Sequence, residues 1–334
     1  MSAGASAVVG KAGGRRSSIL SVLFGSSIIG PIAALILAGA FFSTQTDRFL
    51  TGANMSLVVQ QVMVVGTLAI GQTLIILTSG IDLSIGAVMA LGSIIMTSMA
   101  VDYGLNPVLA ILIGFAVCMA FGLLNGALVT MIRLPPFIVT LGTLNIAFAL
   151  TRIYTTQTIT GLPPMLTFFG NTFKVGNTAI TYGSVLMFLL YLAAWFMLRS
   201  TPAGRYVYAV GDNPEAARLA GISTTKLLIG VYTLAAFAYA IAGLLLVART
   251  EVGDPQAGQD SNLESITAVV LGGTSLFGGR GNIMGTLIGA LIVGVFRNGL
   301  QLMGVASIYQ LLITGVLVIV AVSIDQLSHR SKGT

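Results

Sequence analysis

Reactive side chains are scarce in this chain and stand far apart. The one histidine, His329, lies beside Arg330 and Lys332 in a polar tail, and the one cysteine, Cys118, lies inside an apolar run. Neither a disulfide nor a metal site built from His and Cys can be assembled from that set. The residues that follow Lys11, Lys174, Lys226 and Lys332 are Ala, Val, Leu and Gly, so no Gly-x-x-x-x-Gly-Lys-Ser/Thr phosphate loop is present. His-Glu-x-x-His and Gly-x-Ser-x-Gly patterns are absent too. The sequence therefore does not read as an enzyme. What it offers is polar side chains set within apolar sequence: Asp82, Gln72, Asn125, Thr140, Thr143 and Asn145. Such residues are costly inside a bilayer, and there they mark a pathway or join one helix to another.

The segments that must position them are membrane spans. Of 334 residues, 55% are hydrophobic and only 8% charged, against roughly a quarter charged in a soluble domain. Mean hydropathy is +0.96. Uncharged runs occupy 17–46, 49–81, 83–101, 103–132, 134–151, 175–198, 227–248 and 298–324. Two shorter ones, 265–279 and 281–296, flank Arg280, and the second continues through Arg297 to about Met303. Measured against the ~20 residues that cross a bilayer, these predict about ten transmembrane helices in an all-α integral membrane protein. The Thr-rich stretch 153–173, with Pro163-Pro164, reads as an external loop.

Ten crossings place both termini on one side. With the N-terminus inside, that side receives Lys11, Arg15, Arg16, Arg133, Arg199, Arg205, Arg218, Lys226, Arg280, Arg330 and Lys332. The other receives Arg48, Lys174 and Arg249, with Arg152 near its boundary, which predicts N-in and C-in. The net charge of +6 is dispersed between apolar runs and forms no stripe for nucleic acid. Residues 1–18 read as a cytoplasmic arm of a single transmembrane domain spanning 1–334. The apolar stretch Ile19 to Phe42 is too long for a signal-peptide core and suits a retained helix.

The longest internal cytoplasmic segment is 199–226. Within it Asp212 or Asn213 can cap a helix, Pro214 suits its first turn, Glu215 its positive end and Gly221 its stop. That helix serves either as a linker or as a docking element.

Glu215-Ala216-Ala217, three residues, then Gly221 resembles the Glu-Ala-Ala-x-x-x-Gly loop by which bacterial ABC-importer permeases engage their ATPases. Val231-Tyr232-Thr233-Leu234 departs from the Ile-x-Leu-Pro that follows in that pattern. Thr78 to Gly92 (TSGIDLSIGAVMALG), Asn125 to Thr143 (NGALVTMIRLPPFIVTLGT) and Val270 to Gly294 (VLGGTSLFGGRGNIMGTLIGALIVG) extend the likeness. In this order they resemble the ribose, arabinose, xylose and galactose permease family, from about Asn54 to about Asp325.

The resemblance implies a homodimeric inner-membrane permease that sits on two ATPase domains and receives a monosaccharide from a periplasmic binding protein. ATP and Mg²⁺ belong to the partner ATPase, and no cofactor or metal is expected in this chain. Asn213, Pro214, Glu215, Ala216, Ala217, Arg218 and Gly221 become the ATPase-coupling residues. Asp82, Asn125, Thr140, Thr143, Asn145 and Gln72 are pathway candidates, Asp82 serving equally as a cap for the helix that follows it. Arg48, Arg152, Arg249 and Arg297 are candidates for docking the binding protein, Arg297 also being placed to snorkel toward headgroups. Gly281, Gly285 and Gly289 give one helix a smooth face for a close neighbour. An inverted repeat relating spans 2–5 to spans 7–10 is a further expectation from the family. The alternative is a stand-alone carrier or facilitator for a small polar solute.

Overall fold

The computed structural model describes residues 28–176 and 178–330. The arm 1–18 with Lys11, Arg15 and Arg16, the opening of the first apolar run, Lys332 and the His329 side chain lie outside the described residues. The chain is helical nearly throughout: α1 (Ile29–Gln45), α2 (Gly52–Leu77), α3 (Ile85–Val101), α4 (Pro107–Met131), α5 (Pro136–Tyr154), α6 (Pro164–Thr167), α7 (Tyr182–Ser200), α8 (Pro202–Asp212), α9 (Pro214–Leu219), α10 (Thr224–Thr250), α11 (Ser261–Leu271), α12 (Ile283–Leu302) and α13 (Ser307–Arg330). Between α6 and α7 lies an antiparallel hairpin, β1 (Thr172–Val175) and β2 (Thr178–Thr181), with Thr172 opposite Thr181.

Local chemistry sets the helix starts. Thr51, Asn106, Thr181 and Asn282 each accept a hydrogen bond from a backbone N–H in the first turn of α2, α4, α7 and α12, at 3.3, 2.9, 3.3 and 2.9 Å. Pro at the first position of α4, α5, α8 and α9 gives up an N–H that had no partner there. Packing then sorts the helices into two layers. Most of α2, α10 and α12 is buried, whereas α4, α5 and α7 bury only about a third of their length or less. The outward faces of that second group carry Leu112, Leu123, Ile146, Leu189, Leu192 and Phe196. A surface of this kind faces lipid.

Among the described residues six helices are long and apolar enough to cross a bilayer: α2, α4, α5, α7, α10 and α12. Each of the ten uncharged runs holds a helix, but four of these do not meet that measure. The run 265–279 yields α11, 11 residues long, about 16 Å at 1.5 Å per residue. It stops at Gly272, where Gly273, Gly278 and Gly279 take φ of +81°, +82° and +66°. The 17-residue α1 and α3 reach about 25 Å, short of a ~30 Å hydrocarbon core. A hairpin was not expected either: the run that begins at 175 opens inside it, and the membrane helix starts only at Tyr182.

Helix packing repeats itself. Within the first half α3 packs on α4 and α5; within the second, α11 packs on α12 and α13. Across the halves α3 meets α10 and α4 meets α10, just as α11 meets α2 and α12 meets α2, while α2 and α10 pack on each other. Exchanging α2–α5 with α10–α13 reproduces this set of neighbours. The Gly281, Gly285 and Gly289 stripe lies against Thr274, Gly272 and Ala268, so its close neighbour is α11 and the loop after it.

Both halves are broken where they meet. After α2 the chain turns at Ser79 (φ +61°) and runs back: Gly80 lies by Tyr232, and Asp82 reaches Tyr239, near the middle of α10. Helix α3 therefore begins deep inside the bundle. The segment before α11 dips in from the opposite end, and at the crossing Gly86 and Gly258 touch backbone to backbone. A Cβ at either would meet the other's carbonyl oxygen, so only glycine lets these two strands of chain cross.

Candidate coupling and translocation site

Helix α9 is built as its sequence suggests. Asn213 is extended (φ −152°, ψ 99°) and its Oδ1 accepts the Ala216 N–H at 2.9 Å. Gly221 (φ +86°) ends the turn, with its N–H donated to Arg218 and that of Ile222 to Ala217, each at 3.0 Å. Glu215 and Arg218 pair at 2.6 Å one turn apart, fully in the open. The Arg218 guanidinium, by hydrogen bond and then by charge, holds the Glu215 carboxyl below its ordinary range. Ala217 is the buried side of α9, while Pro214, Glu215, Ala216, Arg218 and Leu219 are exposed. Leu219 is 78% exposed, a bare apolar tip beside an ion pair. That combination suits a protein partner rather than lipid.

Helix α8 is what the sequence reading missed. Its signals are present: Thr201 caps it through the Gly204 N–H at 3.2 Å, and Pro202 opens it. It lies against α7 and α2, buries Val207 and Val210, and brings Gly211 against Leu77 at the end of α2 and Gly279 in the loop after α11.

Three of the polar candidates come together at the α2–α3 break. Asp82 is 2% exposed, and its Oδ1 accepts both the Ser84 N–H (2.7 Å) and the Ser84 hydroxyl (2.6 Å). Its Oδ2 accepts from the Tyr239 hydroxyl of α10 at 3.1 Å. Asn125 of α4 donates Nδ2–H to Ser84 Oγ at 3.1 Å, and Thr140 of α5 donates to the Ile81 carbonyl at 3.1 Å. One carboxylate thus orders the broken segment and ties it to α10, with α4 and α5 held to its neighbours. Asp82 does not cap a turn of α3 itself: the N–H it accepts is that of Ser84, the residue before the helix, and the cross-helix bond to Tyr239 is its other role. Thr143 does not join this network; its hydroxyl bonds to its own helix at Val139 and Thr140. Gln72 is buried near the C-terminal end of α2 with neither amide atom bonded, and Asn125 Oδ1 is likewise without a partner. Unpaired amides in a packed interior are uncommon and point to a role beyond packing.

Asn145 lies apart from these. It is exposed on a helix that otherwise faces lipid, and it lines a groove of about 230 Å³ with Phe148, Gln259 and Asn262. A larger cavity of about 420 Å³ opens at the far end of the molecule from α9, between α2, α3, α10, α11 and α12. Its polar wall includes Gln61, Ser93, Arg249, Asp254, Glu264 and Arg297. The two spaces share Ala257, Gly258 and Gln259 as a common wall, beside the Gly86 crossing. Arg297 pairs with Glu264 at 2.7 Å rather than reaching freely for headgroups. Arg249 lines the same cavity, Arg152 lies over the Phe148 ring at 4.3 Å, and Arg48 sits in the turn before α2. All four arginines occupy the end opposite α9. Glu251, Asp254, Asp260 and Glu264 stand close together in the sequence, and no local signal tells that α11 carries Glu264 to Arg297, 33 residues on.

The family model described as "Branched-chain amino acid transport system / permease component" matches residues 54–322. Among curated proteins, the fructose import permease protein FrcC of Rhizobium meliloti is 50% identical over 298 residues, 87% of this chain and 81% of that one. Ribose import permease protein RbsC of Bacillus subtilis (strain 168) is 42% identical over 301 residues, 89% and 92% of the two chains. The Escherichia coli (strain K12) protein of the same name is 41% identical over 297 residues, 88% and 92%. No solved structure matches. With a family model covering most of its length and relatives this similar end to end, the chain belongs to the family of transport-system permease components.

Proposed function

We propose that this chain is the membrane-spanning permease subunit of an ATP-binding cassette importer that carries a monosaccharide such as ribose or fructose into the cytoplasm. One observation carries the reading: a capped, solvent-exposed helix, α9, offers Glu215, Arg218 and Leu219 to a partner and is joined through α8 to both halves of the bundle. It is not the enzyme of the system; a separate ATPase subunit holds ATP and Mg²⁺ and docks on α9. The names of the fructose and ribose import permeases support the substrate class.

The protein crosses the bacterial inner membrane ten times with both termini in the cytoplasm, its halves forming an inverted repeat. The face bearing Arg48, Arg152, Arg249 and Arg297 receives the periplasmic sugar-binding protein. A neutral polyol released there enters the polar 420 Å³ cavity, whose amides, hydroxyls and charged groups match its donors and acceptors. It continues past Ala257–Gln259 into the Asn145 groove, which a second copy of the permease closes on its open side. An exposed amide on a lipid-facing helix is costly, and covering Asn145 removes that cost.

Co-purification tests the reading. The chain expressed with an ATPase subunit encoded beside it is expected to leave detergent as a stoichiometric complex, lost when Glu215 and Gly221 are substituted together. A permease that purifies alone and moves sugar in proteoliposomes without ATP would make it a carrier instead.

A further inference from the structure

Three segments remote in sequence meet at one point between α9 and the broken helices. Ser79, in the turn after α2, has its hydroxyl 2.8 Å from the Gly211 carbonyl of α8 and 2.9 Å from the Phe277 carbonyl of the loop after α11. The Gly279 N–H of that loop donates to the Leu77 carbonyl at the end of α2, at 3.0 Å. Gly211 is wedged between them: a Cβ there would overlap the Leu77 carbonyl oxygen and lie 2.6 Å from the Gly279 nitrogen. A Cβ on Gly279 would press on Asp212 at 2.8 Å, and Tyr208 of α8 donates its hydroxyl to the Gly281 carbonyl at 3.0 Å. Ser79 holds φ +61°, a left-handed conformation unusual for serine.

The arrangement joins the last turn of α8 to the end of the first half's central helix and to the re-entrant loop of the second half. Its contacts are backbone against backbone, with two hydroxyls beside them, that of Tyr208 and that of Ser79, whose single proton is shared between two carbonyls. Side chains can rotate to absorb a small displacement, whereas close-packed backbone transmits it. Helix α9 begins one residue beyond this point, since Asn213 both ends α8 and caps α9. Apart from Ala217, α9 has no buried side chain through which to pass on a push.

We infer that Ser79, Gly211 and Gly279 form a rivet through which movement of α9 reaches both halves of the permease together, with Ser79 as its positioning residue. The inference rests on the reading of α9 as an ATPase-docking helix. Moving one half alone would have to break the Gly279–Leu77 bond, and the Ser79 hydroxyl spans the same two segments. The crossing at Gly86 and Gly258 lies on the segment that follows Ser79 and, on the other side, on the segment before α11, one helix away from Gly279, between the cavity and the Asn145 groove. Moved from one point, the Ser79 turn and α11 open or shut that crossing in one step.

The test is sugar moved per ATP hydrolysed, measured in proteoliposomes holding the permease, its ATPase and the sugar-binding protein. Ser79→Gly removes the hydroxyl and relaxes the left-handed backbone, so the complex is expected to assemble and melt as the unaltered one does. Its ATPase activity is expected to stay near the original while sugar moved per ATP falls about five-fold, the scale of one hydrogen bond. Ser79→Asn, which tolerates the same φ and restores a donor, is expected to recover the ratio. An unchanged ratio in Ser79→Gly overturns the inference, as does a fall in transport and ATPase activity in equal proportion. Failure of the unaltered chain to bind an ATPase would overturn the functional reading instead and is seen before any ratio is measured.

Discussion

At the scale of single residues, Asp82 shows how far sequence carries and where it stops. A carboxylate between two apolar runs, flanked by Gly80 and Gly86, is legible as a break before the next helix, and it binds Ser84 just ahead of that helix rather than the helix itself. Its other partner, Tyr239, lies 157 residues away and is set by packing alone. Truncating Asp82→Ala strands the Ser84 and Tyr239 donors in the interior, and about 2–5 kcal/mol of stability is expected to go. Tyr239→Phe removes one bond and is expected to cost about 1 kcal/mol. Thermal unfolding in detergent separates the two, and equal shifts would refute the three-donor arrangement. Glu215 supplies a pH prediction. Its carboxyl is held below the ordinary 4.5 by Arg218. A depressed pKa makes the pair's contribution fully present above that ordinary value and lost only as pH falls through the lowered one. Sugar moved per ATP should therefore be flat between about pH 6 and 8 as far as this pair is concerned. Glu215→Gln should lower it at every pH in that range without moving the melting temperature; a pH-dependent loss would point to another group.

Among the elements, short signals served well and long-range ones failed. Asn213-Pro214 and Gly221 foretold α9, and the glycines at 281, 285 and 289 foretold a tight helix contact. Helix α8 was passed over although Thr201-Pro202 announces it, because it falls in the cytoplasmic segment 199–226, where the capping signals of α9 drew the reading. The span expected in 265–279 shrank to α11 because hydropathy counts glycine as nearly neutral, while its backbone freedom ends helices. Close packing of α11 on α12 makes a sharp comparison possible. A side chain at Gly289 would overlap the Ala268 carbonyl, so Gly289→Leu is expected to destabilise the fold by about 1–3 kcal/mol or more. Gly230 in α10 has nothing within 4 Å of an added Cβ, and Gly230→Ala should leave the melting temperature unchanged or slightly raised. Similar losses from both would mean that α11 does not lie where the structure places it.

For the whole molecule, charge distribution and the neighbour pattern agree on two faces, one with α8 and α9 and one with the polar cavity. Cys118 is fully buried, so engineered cysteines can be read against it without first removing it. Leu219→Cys is expected to react with a membrane-impermeant maleimide only in inside-out vesicles, and Val175→Cys, in the exposed hairpin, only in right-side-out ones. Labelling of both from one side would overturn the N-in, C-in arrangement. Sequence by itself determined that the chain lives in a membrane, about how many apolar segments it has, where α9 begins and ends, and to which kind of transporter it is similar. Those properties follow from hydropathy, charge position and capping chemistry, which act over one helix or one turn. Tertiary structure alone decided which helices of α2–α5 and α10–α13 become neighbours, that Asp82 meets Tyr239 and Glu264 meets Arg297, and that Gly211 packs against both Leu77 and Gly279. Those outcomes depend on close packing between segments tens to hundreds of residues apart, and no local pattern records which surfaces will touch.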